Sequence, residues 1–556
     1  MSGGVPGVIK SDDKVFWLYF TAVLAWMFLG LLVNNRADWD LWGVMSFGAL
    51  LDQNPGRFPY HDVFSYTAYG LPWIYHEWGS GVVFYQVFKH FGSAGLFWLK
   101  FWLVSLLLLL SCRRVFFRSP HQQSLTGWWR GLFIGQLLVA AYLILPICST
   151  TIRCQLFTFL GYALFLFLLK NHRQGRLSRL SRLIWLLPLL MIVWVNLHGG
   201  FAMGLMAVGV YFLAALWQVW QREHVAGESE PRTLGIILLL CLGTMLMNPY
   251  GLSFIATMIA AWSLPRETIS EWGNVFTLDL PLYGVLYTAL LLLWLGWGLR
   301  DWLKSPRRFP TVLILLGLTG LNGWLHYKLS PLFLITALSL GFELIPHREE
   351  PASASQRGFL HPVYTYGAPV LLALLAMIPT GMYLKSQEQS FQVRVPGAES
   401  IRQGTALSRF AYPVGVVDFM RTRHIQANLW APFAWGEFLY WALYPDSRIS
   451  IDGRYETIFP ESVYEDTRAF YRPPYPLELA EKYQSTHILV PVAEERLLSK
   501  LMAQPGWHLL YRDSMSALFT RSDASIANPV AGVGPQPGSA MTLERYPAEP
   551  HRFRLP

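Results

Sequence analysis

The chain is poor in the residues that a soluble protein of its size depends on. Asp, Glu, Lys and Arg make up only 14% of its 556 residues, while hydrophobic residues make up 53% and aromatic residues 15%. About a quarter of a typical soluble domain is charged, so this balance excludes that class and indicates an integral membrane protein. Cysteine is scarce. The four present (Cys112, Cys148, Cys154 and Cys241) lie in or beside apolar runs, and none has metal-ligand spacing. Cys148 and Cys154 are near enough to pair at the outer surface, although free thiols suit their surroundings better. Acidic residues number 35 against 44 basic ones, a formal net charge of +9. The cations fall in short loops between apolar runs rather than on one face, which excludes a nucleic-acid surface and marks them as topology determinants.

What is present in quantity is long apolar sequence. About eleven runs can cross a bilayer, where roughly 20 residues are needed. They cover residues 15–33, 94–112, 131–148, 155–170, 183–197, 200–220, 234–248, 282–299, 310–325, 330–345 and 364–384. The first follows Lys10 and Lys14 and has no small-x-small cleavage site, so it reads as a retained span. With residues 1–14 in the cytoplasm, the inner loops hold Arg113, Arg114, Arg118, Lys170, Arg173, Arg176, Arg179, Arg182, Arg300, Lys304, Arg307 and Arg308. Few cations face outward, an asymmetry that places the N-terminus inside and the C-terminal region outside. No charge in the middle of a span stands out, and no internal repeat.

Residues 15–384 thus form a transmembrane domain with a large outer loop at 34–93. That loop contains two amphipathic helix candidates, 41–51 and 77–89, of the kind that lie in the interface plane, and 252–262 is a third. Residues 385–522 have the hydropathy of a small α/β domain outside the membrane. Helices are expected at 414–421 and 493–502, strands at 448–451 and 487–490, and a hairpin at 507–511 and 516–520. The tail, 523–556, is rich in Pro, Gly and Ala and is expected to be disordered.

Charged residues held at the membrane surface are costly unless they pair or work. At the outer level the chain offers Asp38, Asp40, His61, Asp62, His76, Glu77, Arg153, His198, Glu271, His326 and Lys328. Asp38 and Asp40 either cap a helix starting near Leu41 or do acid/base or metal chemistry. Asp62 can cap a turn, and Glu77 sits in a first helical turn. Arg153, in a six-residue turn, either snorkels or faces the bundle. His198, beside Gly199 and Gly200, marks a tight turn or a ligand. Lys328 reads as an interface anchor or a phosphate contact.

Asp38-Trp-Asp40, Pro59-Tyr-His-Asp62-Val-Phe-Ser65-Tyr and Pro72-Trp-Ile-Tyr-His-Glu77-Trp78 together resemble the first outer loop of GT-C membrane glycosyltransferases. The likeness is to bacterial members near the protein O-mannosyltransferase and lipid A aminoarabinose transferase group. Arg153-Cys-Gln-Leu-Phe-Thr158, Trp194-Val-Asn-Leu-His198-Gly-Gly, Asn248-Pro-Tyr-Gly251 and Glu271-Trp272 resemble further blocks of that family. Trp435-Gly436-Glu-Phe-Leu-Tyr and Ile451-Asp452-Gly453-Arg454 resemble its soluble domain; a buried turn is the plainer reading of the first, and the second, which follows a strand, reads equally as a binding loop or a structural Asp–Arg pair.

The resemblance implies a polytopic α-helical membrane protein with an outward-facing site and a polyprenyl-phosphate-linked sugar donor. It implies a catalytic aspartate, Asp40 or Asp38, and a glycan, lipid or protein acceptor. Arg153 and Lys328 are the candidates for the phosphate, with His198, Glu77, His76 and Glu271 as further substrate contacts. The second acidic motif of oligosaccharyltransferases is missing from residues 149–154, so a divalent ion (Mg or Mn) is possible but not favoured, and no cofactor is required. Two other readings stand beside this one: a transporter or flippase of lipid-linked sugars, and a non-catalytic assembly partner.

Overall fold

The first helix among the described residues, α1 (Trp39–Gln53), is apolar on every side, and the structure buries it on every side: all ten residues from Leu41 to Leu50 are shielded from solvent. A helix without a polar face has to be covered all round. It therefore does not lie in the interface plane as the 41–51 pattern suggested. The structure, a computed structural model, describes residues 35–116, 152–174, 179–221, 230–263, 272–277, 282–344, 393–395, 412–455, 457–521, 530–531, 541–546 and 553.

One face of α1 packs on α2 (Trp78–Phe116), which absorbs the 77–89 candidate and the span that follows it in one helical run broken at Gly92. The two helices cross backbone to backbone. A Cβ at Gly48 would collide with the carbonyl oxygen of Gly81, and one at Gly81 would lie 2.7 Å from the carbonyl oxygen of Val44. Close-packed crossings of this kind need small residues. Gly48→Ala is accordingly expected to lower the thermal unfolding midpoint in detergent, at an overpacking cost of ~1–3 kcal/mol. An unchanged midpoint would place the crossing elsewhere.

The other expected spans among the described residues are helical: α3 (Gln155–Gln174), α4 (Leu187–Leu197), α5 (Ala202–Trp220), α6 (Pro231–Gly243), α8 (Tyr283–Lys304), α9 (Thr311–Leu325) and α10 (Ser330–Leu340). The 252–262 candidate is helix α7 (Leu252–Ser263). Among the described residues three stretches are long and apolar enough to cross a membrane, Trp78–Cys112, Gly199–Trp220 and Tyr283–Lys304. The expected spans at 15–33, 131–148 and 364–384 lie outside the described residues, as does Cys148. Cys112, Cys154 and Cys241 are buried free thiols. Lys100, a charge inside the run expected to span at 94–112, went unnoticed in the sequence: it is 1% exposed and donates to Asn35 Oδ1 at 2.8 Å.

The C-terminal part carries a small mixed sheet in the order β3-β2-β4-β6-β5-β7. Its strands are β2 (Ala427–Trp430), β3 (Ser447–Ile449), β4 (His487–Pro491), β5 (His508–Arg512), β6 (Ser516–Thr520) and β7 (Val530–Ala531). β2 runs parallel to β3 and β4, whereas β6 is antiparallel to β4 and β5, which makes the expected hairpin. Helices α11 (Val414–Thr422), α12 (Gly436–Leu443), α13 (Glu461–Phe470), α14 (Glu478–Lys482) and α15 (Glu495–Ala503) cover it.

This region does not stand apart from the loop at residues 34–93. Ser65 forms a parallel bridge with Ile449, Tyr66 N–H donates to Ile449 O at 3.1 Å, and Ile449 N–H donates to Phe64 O at 3.1 Å. One apolar core contains Trp42, Phe64 and Trp73 of the loop together with Phe438, Tyr440 and Trp441 of α12. A second cluster around Trp430, Phe470 and Leu497 lies within the sheet region.

The tail also departs from its expected disorder where it is described. Strand β8 (Met541–Thr542) pairs with β1 (Arg394–Val395). Tyr546 and Phe553 are buried, Trp441 Nε1 donates to Tyr546 O at 3.0 Å, and Asn54 Nδ2 donates to Phe553 O at 2.6 Å. A few apolar anchors hold a segment whose average composition is that of a loop.

Candidate functional site

Asp38 is the N-cap of α1. Its backbone is extended (φ −82°, ψ 157°) and its Oδ1 accepts the Asp40 N–H at 3.2 Å. A cap carboxylate satisfies a free N–H and lies at the positive end of the helix dipole. Asp40 follows in the first turn with a different exposure: its side chain is 51% accessible, against 2% for Asp38. Arg153, just ahead of α3, joins them. Its Nη2 lies 3.0 Å from Asp38 Oδ1 and 2.8 Å from Asp40 Oδ2. One guanidinium therefore stands where a cation shared by the two carboxylates would stand, so the pair does not fit a bridging metal. Among the described residues no group of three His, Cys, Asp or Glu side chains is placed to hold one.

A second group lies at the start of α2. Glu77 Oε1 is 3.4 Å from His198 Nε2 and 3.7 Å from His76 Nε2. His198 caps the turn Gly199–Phe201: its Nδ1 accepts the Gly200 N–H at 2.9 Å and lies 2.8 Å from Thr158 Oγ1. A ring nitrogen that accepts a backbone N–H carries no proton, so the neutral ring keeps its proton on Nε2, on the side of Glu77. Burial pushes His198 well below the usual histidine range, and His76, Lys328 and Arg153 push the same way. Nearby, burial and then the Glu77 carboxylate push the Cys154 thiol well up.

The sequence blocks around these residues hold each other in place. Asn196 Oδ1 accepts from Trp78 Nε1 at 2.8 Å and from Asn248 Nδ2 at 3.1 Å, while Trp194 Nε1 donates to Thr158 Oγ1 at 3.0 Å. Lys328 Nζ lies 5.4 Å from the centroid of Trp272, whose carbonyl oxygen is 2.8 Å from His326 Nδ1. Lys328 is near enough to His198 for its charge to help hold that ring neutral. Glu271 lies outside the described residues. His61 is exposed and bridges Pro72, away from these contacts.

Asp62 belongs to a third group. It caps its own turn by accepting the Ser65 N–H at 3.0 Å, and it also accepts Arg454 Nη1 at 2.7 Å. Arg454 donates Nε and Nη2 to Asp452 at 2.8 and 2.6 Å. All three are buried, and the guanidinium lies 4.6 Å from the centroid of Trp73 and 5.0 Å from that of Tyr440. The Asp452–Arg454 pair is thus structural, and through Asp62 it clamps the loop at residues 34–93 to the C-terminal region.

The sequence reading overlooked Glu437. It is buried at the start of α12, where its Oε2 accepts the Gly43 N–H at 2.9 Å. Burial, reinforced by Asp40 and Asp452, pushes this carboxyl well above the usual range. The available signal was one acid in the otherwise uncharged run from Trp435 to Leu443, since a lone buried charge needs a reason.

No family model matches the sequence, and the comparison with curated proteins found no match. The chain is similar at low identity to several solved structures. One is the archaeal oligosaccharyltransferase AglB from Archaeoglobus fulgidus, in complex with an inhibitory peptide and a dolichol-phosphate. It is 12% identical with a TM-score of 0.49, over 94% of this chain and 76% of that one. The same oligosaccharyltransferase tethered to an acceptor peptide is 13% identical with a TM-score of 0.47, over 96% and 76%. ArnT from Cupriavidus metallidurans, bound to undecaprenyl phosphate, is 12% identical with a TM-score of 0.43, over 92% and 99%.

Proposed function

We propose that the protein is a membrane glycosyltransferase. It moves a sugar from a polyprenyl-phosphate-linked donor to an acceptor hydroxyl on the outer side of the cytoplasmic membrane. The observation that carries this reading is the half-exposed Asp40 carboxylate held beside Arg153. Asp40 takes the proton of the acceptor hydroxyl as its oxygen bonds to the anomeric carbon. The bond from that carbon to the phosphate oxygen breaks, and the electron pair leaves with the phosphate. Arg153 and Lys328 offset the growing negative charge, and the configuration at the sugar inverts. Glu77 orients His198, which with His76 lines the same region.

Exposed apolar side chains on the spans support a lipid setting: Leu213 of α5 is 53% accessible, Leu239 of α6 70% and Leu292 of α8 64%. The uneven spread of basic residues supports a cytoplasmic N-terminus with the site and the C-terminal region outside.

The test is transfer of labelled sugar from polyprenyl-phosphate and polyprenyl-diphosphate donors by the protein in vesicles. The wild type is expected to transfer from one of them. Arg153→Lys should lower kcat by about tenfold or more, because an ammonium cannot replace the planar fork. Absence of transfer from every donor by wild-type protein with a normal unfolding profile would overturn the reading.

A further inference from the structure

Helix α1 and the outer half of α2 run side by side in the same direction. Gly48 meets Gly81 where they cross, and further along Asp52 accepts from Gln86 Nε2 at 2.7 Å and from Lys89 Nζ at 2.8 Å. Both helices therefore start at the candidate site, α1 with Asp38 and Asp40, α2 just after His76 and Glu77. Arg153 links the two starts: it pairs with Asp40, while its chain neighbour Cys154 lies beside Glu77.

Their other ends meet one feature, the tail segment 541–553. At the end of α1, Gln53 Oε1 accepts the Phe553 N–H at 2.7 Å and Asn54 Nδ2 donates to Phe553 O at 2.6 Å. The outer half of α2 ends at Gly92, whose φ of +62° lies in the left-handed region that favours glycine. The next residue, Ser93, is buried, and its N–H and hydroxyl both donate to Glu544 Oε1, at 2.6 and 2.7 Å. A Cβ at Gly92 would lie 2.6 Å from that same oxygen, so the break in the helix is shaped to admit the carboxylate.

The segment is itself anchored in the C-terminal region. Arg545 forms an ion pair with Asp418 of α11, and Tyr546 Oη donates to Asp418 Oδ1 at 3.0 Å. The Phe553 ring lies 5.3 Å from that of Trp441 and 5.7 Å from that of Tyr444. One strap thus joins the far ends of two helices to the region that carries α12.

A stiff helix transmits a shift at one end to the other. Along α1 the crossing at Gly48 lies about 12 Å from Asp40 and about 9 Å from Asn54, at 1.5 Å per residue. With that crossing as pivot, a shift at Asn54 becomes a shift of similar size at Asp40, and a misplacement of about 1 Å can cost about a hundredfold in rate.

We propose that Glu544 and Phe553 are positioning residues: they hold the far ends of α1 and α2 so that Asp40 and Glu77 stay in register at the helix starts. The inference rests on the reading of Asp40 as base, and it makes the tail act through the two helices rather than at the reacting atoms.

The test uses the full chain in vesicles, as wild type and with Glu544→Ala, Glu544→Gln, Phe553→Ala or Asp40→Asn. Rates are taken well below each unfolding midpoint, where a loss of stability alone leaves kcat at the wild-type value. Glu544→Ala and Phe553→Ala should each lower kcat by about tenfold or more, with donor KM within about twofold. In Glu544→Gln the amide oxygen can still accept from Ser93, so kcat should stay within roughly threefold of wild type. Hydrogen exchange should quicken over residues 47–54 in Phe553→Ala and over 86–93 in Glu544→Ala. A wild-type kcat in either alanine variant overturns the positioning role of that residue, and so does unchanged exchange at the helix end it holds. If Asp40→Asn transfers at the wild-type rate, the base assignment fails, while exchange at the helix ends still reports whether the strap holds them.

Discussion

Asp40→Asn is expected to lower transfer by ~10²–10⁴-fold, the range that a positioned proton acceptor contributes. The fold should hardly notice. Asp40 is half exposed, its backbone N–H rather than its side chain serves the cap, and an amide oxygen can still accept from Arg153. The stability change should stay within about 0.5 kcal/mol, as for other surface substitutions.

Asp38→Asn sets the contrast. Asn caps a helix as well as Asp does, so α1 keeps its start, but the buried ion pair with Arg153 is lost. Its main effect should be on the unfolding midpoint, with activity falling only as far as Arg153 shifts. Initial rates and unfolding midpoints on the two variants separate the roles. Equal rates for Asp40→Asn and wild type would remove Asp40 as the base, and a larger rate loss in Asp38→Asn would transfer the role to Asp38.

The parts of this site that the sequence disclosed are those written locally. Asp38 sits one residue before an apolar helix, which is a cap signal, and Arg153 sits in a turn too short to hide it. Glu77 opens a helix, and His198 precedes two glycines. Each of these could be read from its neighbours. What stayed hidden depends on partners hundreds of residues away. Arg454 and Asp62 are 392 residues apart, and no local pattern distinguishes that pair from two ordinary loop charges.

Helix α1 was misread for a related reason. Its all-round apolar sequence belongs to a buried helix, but its long-range cover, α12, was not visible. Tyr546 and Phe553 were lost in a composition average that a few anchors can override.

Arg454→Met is expected to be the most destabilising single change, by ~3–5 kcal/mol, as for a buried pair that loses one partner. The cost arises from what remains. Asp62 and Asp452 are fully buried and would keep neither their guanidinium nor access to water. Arg454→Lys should recover only part of the loss, because one ammonium cannot reach the oxygens served by Nε, Nη1 and Nη2.

The stabilising partner for this test is a triple change, Arg454→Met with Asp62→Asn and Asp452→Asn. It removes the stranded charges, while the amide oxygen introduced at position 62 can still cap the turn at Ser65. If stranded charge is the cause, the triple variant should unfold at a higher temperature than Arg454→Met alone, since neutral replacements of buried ion groups are often well tolerated. An Arg454→Met protein with a wild-type unfolding midpoint would show that the loop at residues 34–93 and the C-terminal region are held together by their shared aromatic core instead.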